Sequence, residues 1–245
     1  MVTYRSSIEY EDTDSKLEVI TNTGGITAVA VGSGSLSLID EILRRLESNM
    51  IANPPSSMRE LMQLARQSYQ EMERETINNN VLSTFDLDVT ELSDTDVELQ
   101  PEFEDRIMND TGSVRELLRK NVSLLFGGIS DGNPEIYRLN GPDFNDQTSS
   151  GYAIVGSGQE SARSLFIRNR YDADAADLTQ SIFSVGEAKV QAEERQGVGQ
   201  KMDMVIVEPG KTEELDEINR LREDIKEISE QQQDVRQTIM NGWDQ

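Results

Sequence analysis

Apolar residues follow two rhythms along this chain. Residues 2–10 place Val2, Tyr4 and Ile8 on even positions, and residues 16–21 carry Leu17 and Val19 in alternation, with Ile20 out of phase. Both stretches predict strands, parted by the turn Glu11-Asp12-Thr13-Asp14-Ser15. After Gly24-Gly25 an apolar run over 26–31 predicts a third strand, ended by Gly32-Ser33-Gly34-Ser35. The rhythm then turns helical. Leu36, Ile39, Leu43 and Leu46 recur at helical spacing behind an N-cap at Ser35 or Ser37. Pro54-Pro55 breaks that helix. Ser57-Met58-Arg59-Glu60 has the capping-box pattern of a second, with Leu61, Leu64, Ala65, Tyr69 and Met72 inward and a fade near Asn78-Asn79-Asn80.

The second half repeats the alternation of types. Residues 121–129 are the most apolar strand, with Val122, Leu124, Leu125, Phe126 and Ile129, and should sit centrally in a sheet. Asp131-Gly132-Asn133-Pro134 turns it back into residues 135–139. A polar loop over 141–150 leads to a short strand at 151–155 and the turn Gly156-Ser157-Gly158. Helices follow over 159–170 and 173–194, and then a strand over 201–207. In the second helix Leu178, Ile182, Val185, Ala188 and Ala192 form a stripe expected to be core. From Thr212 a heptad pattern appears. Ile218, Ile225 and Ile239 share one position, Leu221, Ile228 and Val235 the position three later, with Gln232 interrupting and Gly242 stopping it. It predicts a terminal helix packed along its own domain or a short coiled coil with a neighbour.

Charge sets the partners apart. The chain holds 46 acidic and 23 basic residues, a formal charge of -23, which disfavours nucleic acid and anionic membranes. Arginines number 17 and lysines 6. An acidic, lysine-poor surface fits concentrated salt, where self-repulsion is screened; the alternative is an ordinary acidic cytosolic protein. The acidity peaks over 86–110, where Arg106 is the lone basic residue. Residues 83–112 read as a solvated insertion, with Phe85, Leu87 and Val89 alternating as an extra hairpin would. Asp94-Thr95-Asp96 offers paired oxygens to calcium, but the glycine and distal glutamate of an EF-hand loop are absent and no metal is assigned. There is no cysteine and no histidine. Disulfides, thiolate metal sites, cysteine nucleophiles and triads with a histidine base are excluded, leaving Ser, Thr, Lys and carboxylates. No apolar run approaches the ~18 residues of a membrane span and no signal-peptide core opens the chain, so a soluble cytoplasmic protein is expected.

The order over 151–207 of strand, glycine turn, two helices and returning strand resembles the C-terminal half of a proteasome-type subunit of the N-terminal-nucleophile hydrolase superfamily, of the 20S core β-like kind. Residues 121–139 resemble that family's central hairpin, and residues 2–20 its early strands. The resemblance implies an α+β fold: an αββα sandwich over 1–210 lacking its first hairpin, with a coiled-coil-like helix over 211–245. It also implies a chemistry that needs no histidine. An N-terminal threonine hydroxyl attacks, its own amine serves as base, a lysine lowers the amine's proton affinity, and a backbone N–H holds the oxyanion.

Carried over, Lys16 falls on the catalytic lysine, Ser157 on the assisting serine, and Ala30 or Val31 near the oxyanion donor. The second carboxylate falls on Arg195 and its accompanying serine on Val198. The nucleophile and first carboxylate belong to a strand pair that precedes the part matched by Val2-Thr3. The implied function is a proteasome-like subunit in protein degradation, non-catalytic as given. It would work without a cofactor, in a homo- or hetero-oligomer with similar subunits, on unfolded protein or peptide if active. Two alternatives stand: a fragment or mis-started form of an active N-terminal threonine peptidase, and a coiled-coil adaptor on an unrelated α/β scaffold.

Overall fold

The computed structural model describes residues 17–21, 25–85, 87, 100–195 and 198–243. They form two units, one from residues 17–153 and 207–211, the other from 154–206 and 212–243.

The first unit is built on an antiparallel sheet of five strands in chain order: β1 (Leu17–Thr21), β2 (Thr27–Gly34), β3 (Val122–Ser130), β4 (Asn133–Asn140) and β5 (Asp143–Asp146). β3 is central as predicted, setting Phe126 opposite Ala30 of β2 and Leu124 opposite Leu139 of β4. Its alternation sends Val122, Leu124 and Phe126 into the core against two helices, α1 (Leu36–Ala52) and α2 (Met58–Asn80). The inner stripe of α1 is Ile39, Ile42 and Leu46, so Ile42 takes the innermost place expected of Leu43. Leu61, Ala65, Tyr69 and Met72 of α2 are buried as predicted. The opposite sheet face carries Val29, Val31, Leu125, Ile129 and Ile136, all half-buried. Apolar residues on both faces are what one layer of a sandwich requires. Asp131 (φ 51°) and Gly132 (φ 77°) make the two-residue turn between β3 and β4, the left-handed pair of a type I′ hairpin.

The acidic stretch holds a helix that the charge run hid. α3 (Pro101–Asn121) has proline in its first turn with Glu102 and Glu104, and Arg119 and Lys120 in its last, each charge matching the helix dipole. Phe85 is not on a hairpin strand. It lies in a 3-10 turn (Leu82–Phe85), edge-on to Phe103 with ring centroids 6.1 Å apart, beneath the Arg106 guanidinium at 5.5 Å. Phe85 and Leu87 pack on a small core of Ile77, Val81, Leu82 and Ile107, which ties the start of α3 to the end of α2. Val89 and Asp94-Thr95-Asp96 lie outside the described residues.

The second unit contains α4 (Gln159–Arg168), α5 (Leu178–Glu193) and α6 (Ile218–Trp243). β6 (Val205–Glu208) and β7 (Lys211–Glu214) pair as a hairpin. Residues 151–155 form no strand, and the strand expected from 201 begins at Val205. α5 starts five residues later than its periodicity suggested. Asp177 caps it, accepting from Gln180 N at 2.8 Å while Gln180 Oε1 accepts from Asp177 N at 3.2 Å.

The α5 stripe is not core along its length. Leu178 is 57% exposed and Val185 46%, whereas Gly186, Ala188 and Ala192 are buried. α6 packs on α5 at Gly186. A Cβ on Gly186 would stand 2.7 Å from Ile225 Cδ1. Of the heptad positions on α6, Ile218 and Ile225 are buried, Leu221 is half-buried, and Ile228 is 41% exposed. The start of α6 therefore packs on its own unit. The side chains of Val235 and Ile239 lie outside the described residues. Among the described residues no helix is long and apolar enough to cross a membrane.

Candidate functional site

The turn at Ser157 is fixed by its two glycines. Gly156 takes φ 111°, a region that L side chains rarely adopt. Gly158 opens α4 against the last turn of α5, where a Cβ would lie 2.6 Å from Ala192 Cβ and 3.2 Å from Val198 Cγ2. Close approach thus demands glycine at 158 and leaves Ser157 exposed at the apex of a held turn. The two positions where the resemblance places the second carboxylate and its serine have structural employment here. Val198 is the wall behind Gly158. Arg195 donates from Nε to Ser161 Oγ at 2.8 Å, joining the end of α5 to α4. Arg195 also forms one side of an open groove with Arg168, Gln191 and Glu194.

Beneath this turn lies a charge cluster that sequence reasoning missed. Glu193 is 6% exposed and receives both arms of Arg222, Nε at 3.1 Å and NH2 at 2.7 Å. Lys189 Nζ donates to the same carboxylate at 3.0 Å, and Lys226 Nζ stands 3.7 Å away. Arg222 continues to Gln200 Oε1 at 3.2 Å and to Glu223 Oε1 at 3.0 Å. Lys189 continues to the carbonyl oxygen of Gly199 at 2.5 Å. One carboxylate therefore holds α5, α6 and the segment 198–200 that backs Gly158. Burial pushes the Glu193 carboxyl up, but the bonds from Arg222 and Lys189 outweigh it and leave its pKa below the ordinary 4.5. The i,i+4 spacing of Lys189 and Glu193 was legible in sequence; the pairing with Arg222, from another helix, was not.

The other carried-over residues lie elsewhere. Ala30 is buried in the middle of β2 in the first unit, between Glu18 and Phe126. Lys16 lies outside the described residues. Among the described residues no group of three or more carboxylates is placed to hold a metal ion.

No family model matches the chain, and no curated protein matches it. Solved structures do. Anbu (ancestral beta-subunit) from Yersinia bercovieri superposes with a TM-score of 0.61 at 15% identity, over 91% of this chain and 84% of that one. A Gly-1 mutant of Anbu from Hyphomicrobium sp. strain MC1 gives 0.58 at 13% identity, over 89% and 82%. The helical assembly of the Anbu complex from Pseudomonas aeruginosa gives 0.57 at 14%, over 92% and 84%. Likeness at these identities speaks for the fold. The expectation of a 20S core β-like subunit is corrected by it, since Anbu is proteasome-like but a distinct family. What the chain shares with these structures is the α+β fold of the N-terminal-nucleophile hydrolase type, in the form that Anbu proteins have.

Proposed function

We propose that the chain is a subunit of an Anbu-like, proteasome-related assembly in protein degradation, and that it builds walls and interfaces rather than cleaving peptide bonds. The carrying observation is the employment of Arg195 and Val198. Where the resemblance places a carboxylate and a serine, one residue is bonded to Ser161 and the other is wedged behind Gly158. An arginine adds positive charge where the family mechanism uses a negative one. The fold likeness over nine-tenths of the chain supports the assembly, and one of those neighbours is itself a helical assembly. The partners are further copies or similar subunits, in the cytoplasm. Purified chain is expected to release no fluorophore from peptide substrates. Turnover abolished by Lys16→Ala would overturn the non-catalytic reading and restore the family mechanism.

A second reading has one observation in its favour: Ser157 stands exposed on a turn held from two sides. It makes the chain part of a longer, active threonine peptidase. An in-frame Thr-Thr and strand upstream of Val2 in the coding sequence would decide for it.

The charge points to concentrated salt as the working medium. At -23, repulsion among carboxylates opposes the compact state, and the screening length falls from about 10 Å at 0.1 M to about 3 Å at 1 M. The melting temperature should rise as potassium chloride approaches molar levels. A flat or falling trend would remove the case for a halophilic protein.

A further inference from the structure

We infer that the groove between α4 and the end of α5 binds a small hydroxylated organic anion, a phosphate ester or a carboxylic acid. This goes beyond the assembly reading and does not depend on it. Ser161, Ser164, Leu165 and Arg168 line the groove from α4, at i, i+3, i+4 and i+7, and so share one helix face. Gln191, Glu194 and Arg195 line it from the end of α5, at i, i+3 and i+4. The space between them is about 440 Å³, within the roughly 300–1,000 Å³ of small-molecule sites and more than a bare ion needs.

The two arginines set the sign of the ligand. The chain holds 46 acidic residues against 23 basic, yet among the described residues neither Arg168 nor Arg195 is paired with a carboxylate. Arg195 uses Nε on Ser161 Oγ at 2.8 Å and keeps both terminal nitrogens. Arg168 makes no hydrogen bond among the described residues. A guanidinium takes a phosphate or carboxylate by two parallel bonds. The net charge of -23 repels anions at a distance, but salt confines that repulsion to about a Debye length, while the guanidiniums act at contact. The remaining groups call for hydroxyls. Ser164 Oγ donates to its own helix at Glu160 O, 2.8 Å away, and so is left as an acceptor. Glu194 Oε2 accepts from Gln191 Nε2 at 2.5 Å, which leaves Glu194 Oε1 and Gln191 Oε1 to accept as well. A bare inorganic anion would satisfy the arginines and leave these acceptors to water. The Glu194 carboxylate also opposes a ligand that is anionic along its whole length. Leu165, 2% exposed, adds an apolar surface for the ligand's carbon skeleton.

The test is titration calorimetry on the full chain in potassium chloride at about 0.5 M, where screening is strong. The probes are glucose 6-phosphate, gluconate, glucose and inorganic phosphate. Glucose 6-phosphate or gluconate should bind one to one with a dissociation constant of about 1 mM or tighter, and the tighter of the two tells phosphate ester from carboxylate. Glucose and inorganic phosphate should bind about ten-fold more weakly or not at all. Arg168→Gln should weaken the anion about ten-fold or more, and Ser164→Glu, which sets a second carboxylate in the groove, should abolish binding. Circular dichroism should show both variants folded, since Arg168 has no partner to lose and Ser164 is bonded only to its own helix. Binding of glucose as tight as that of the anions would remove the role of the arginines. Inorganic phosphate as tight as glucose 6-phosphate would reduce the groove to an adventitious ion site. Binding that both variants leave unchanged would lie elsewhere on the chain. A wild type that binds none of the probes, with a melting temperature lowered by Arg168→Gln, would assign that arginine to the dipole of the last turn of α4. Each of these four results overturns the proposal and leaves the assembly reading as it stands.

Discussion

Glu193→Gln should release α6 from α5. The substitution preserves shape but leaves Arg222, whose side chain is only 10% exposed, facing a neutral amide, with the 69% exposed Glu223 as its remaining charged partner. Removing one member of a buried pair costs about 3–5 kcal/mol, because the remaining charge stays desolvated. Lys189 and Lys226 are 28% and 34% exposed and add little, since water already screens them. The loss is large beside the 5–15 kcal/mol that typically holds a domain. Hydrogen exchange should then show early loss of protection over 218–229, and also over 198–200, since Gln200 and the Gly199 carbonyl hang on the same cluster. Replacing both partners, Glu193→Met with Arg222→Met, should recover much of the protection, because an apolar pair leaves no orphan charge. Unchanged exchange over 218–229 in Glu193→Gln would show that Ile218 and Ile225 alone hold the helix.

The same group gives a pH dependence of known sign. A carboxylate with a lowered folded pKa stabilises fully above its unfolded value and loses that contribution as pH falls through the folded one. Protection of α6 should therefore hold above about 4.5 and fade below it, towards the depressed value that Arg222 and Lys189 impose.

What was legible in the sequence follows how local each cause is. β3 could be read because a central strand is apolar on both faces, and α1 and α2 because one helix face is buried over several turns. The turn at Asp131-Gly132 was legible because its backbone angles need those residue types. α3 was missed because its acidic residues were counted as a solvated run. Pro101, Glu102 and Glu104 before Arg119 and Lys120 were the helix signature within that run. The stripe on α5 was seen correctly as periodic and wrongly as core. Periodicity tells which residues share a face; what covers that face is set elsewhere in the chain. The Glu193 cluster has the same character, with Arg222 and Gln200 meeting it from separate segments. Arg195 and Val198 entered through resemblance alone, and their contacts with Ser161 and Gly158 could only come from coordinates.

Gly34→Ala should cost the first unit about 3 kcal/mol or more, since two independent penalties coincide at that residue. The first is conformational: Gly34 has φ 115°, outside the regions where a Cβ is tolerated, and such residues cost about 1–3 kcal/mol. The second is contact. A Cβ on Gly34 would overlap the carbonyl oxygen of Asn121, stand 2.5 Å from its carbonyl carbon and 3.2 Å from Val122 N. The obstacle is backbone and cannot swing aside as a side chain could. It is also a junction that has no slack. Asn121 ends α3 and Val122 begins β3 with no loop between them, while Gly34 ends β2 and Ser35 caps α1. Asn121 O accepts from Ser35 N at 2.7 Å, so the carbonyl that the methyl group would strike is the one joining the two chain segments. Gly132→Ala separates the penalties. Gly132 also has positive φ, 77°, but nothing lies within 4 Å of a Cβ there, so its cost should be the conformational part alone, about 1 kcal/mol. Urea unfolding should place Gly34→Ala well below Gly132→Ala, with exchange protection lost first at the start of α1 and the end of α3. Equal midpoints for the two variants would mean that the α3–β3 junction moves aside freely, and that the acidic helix is not locked to the sheet at Gly34.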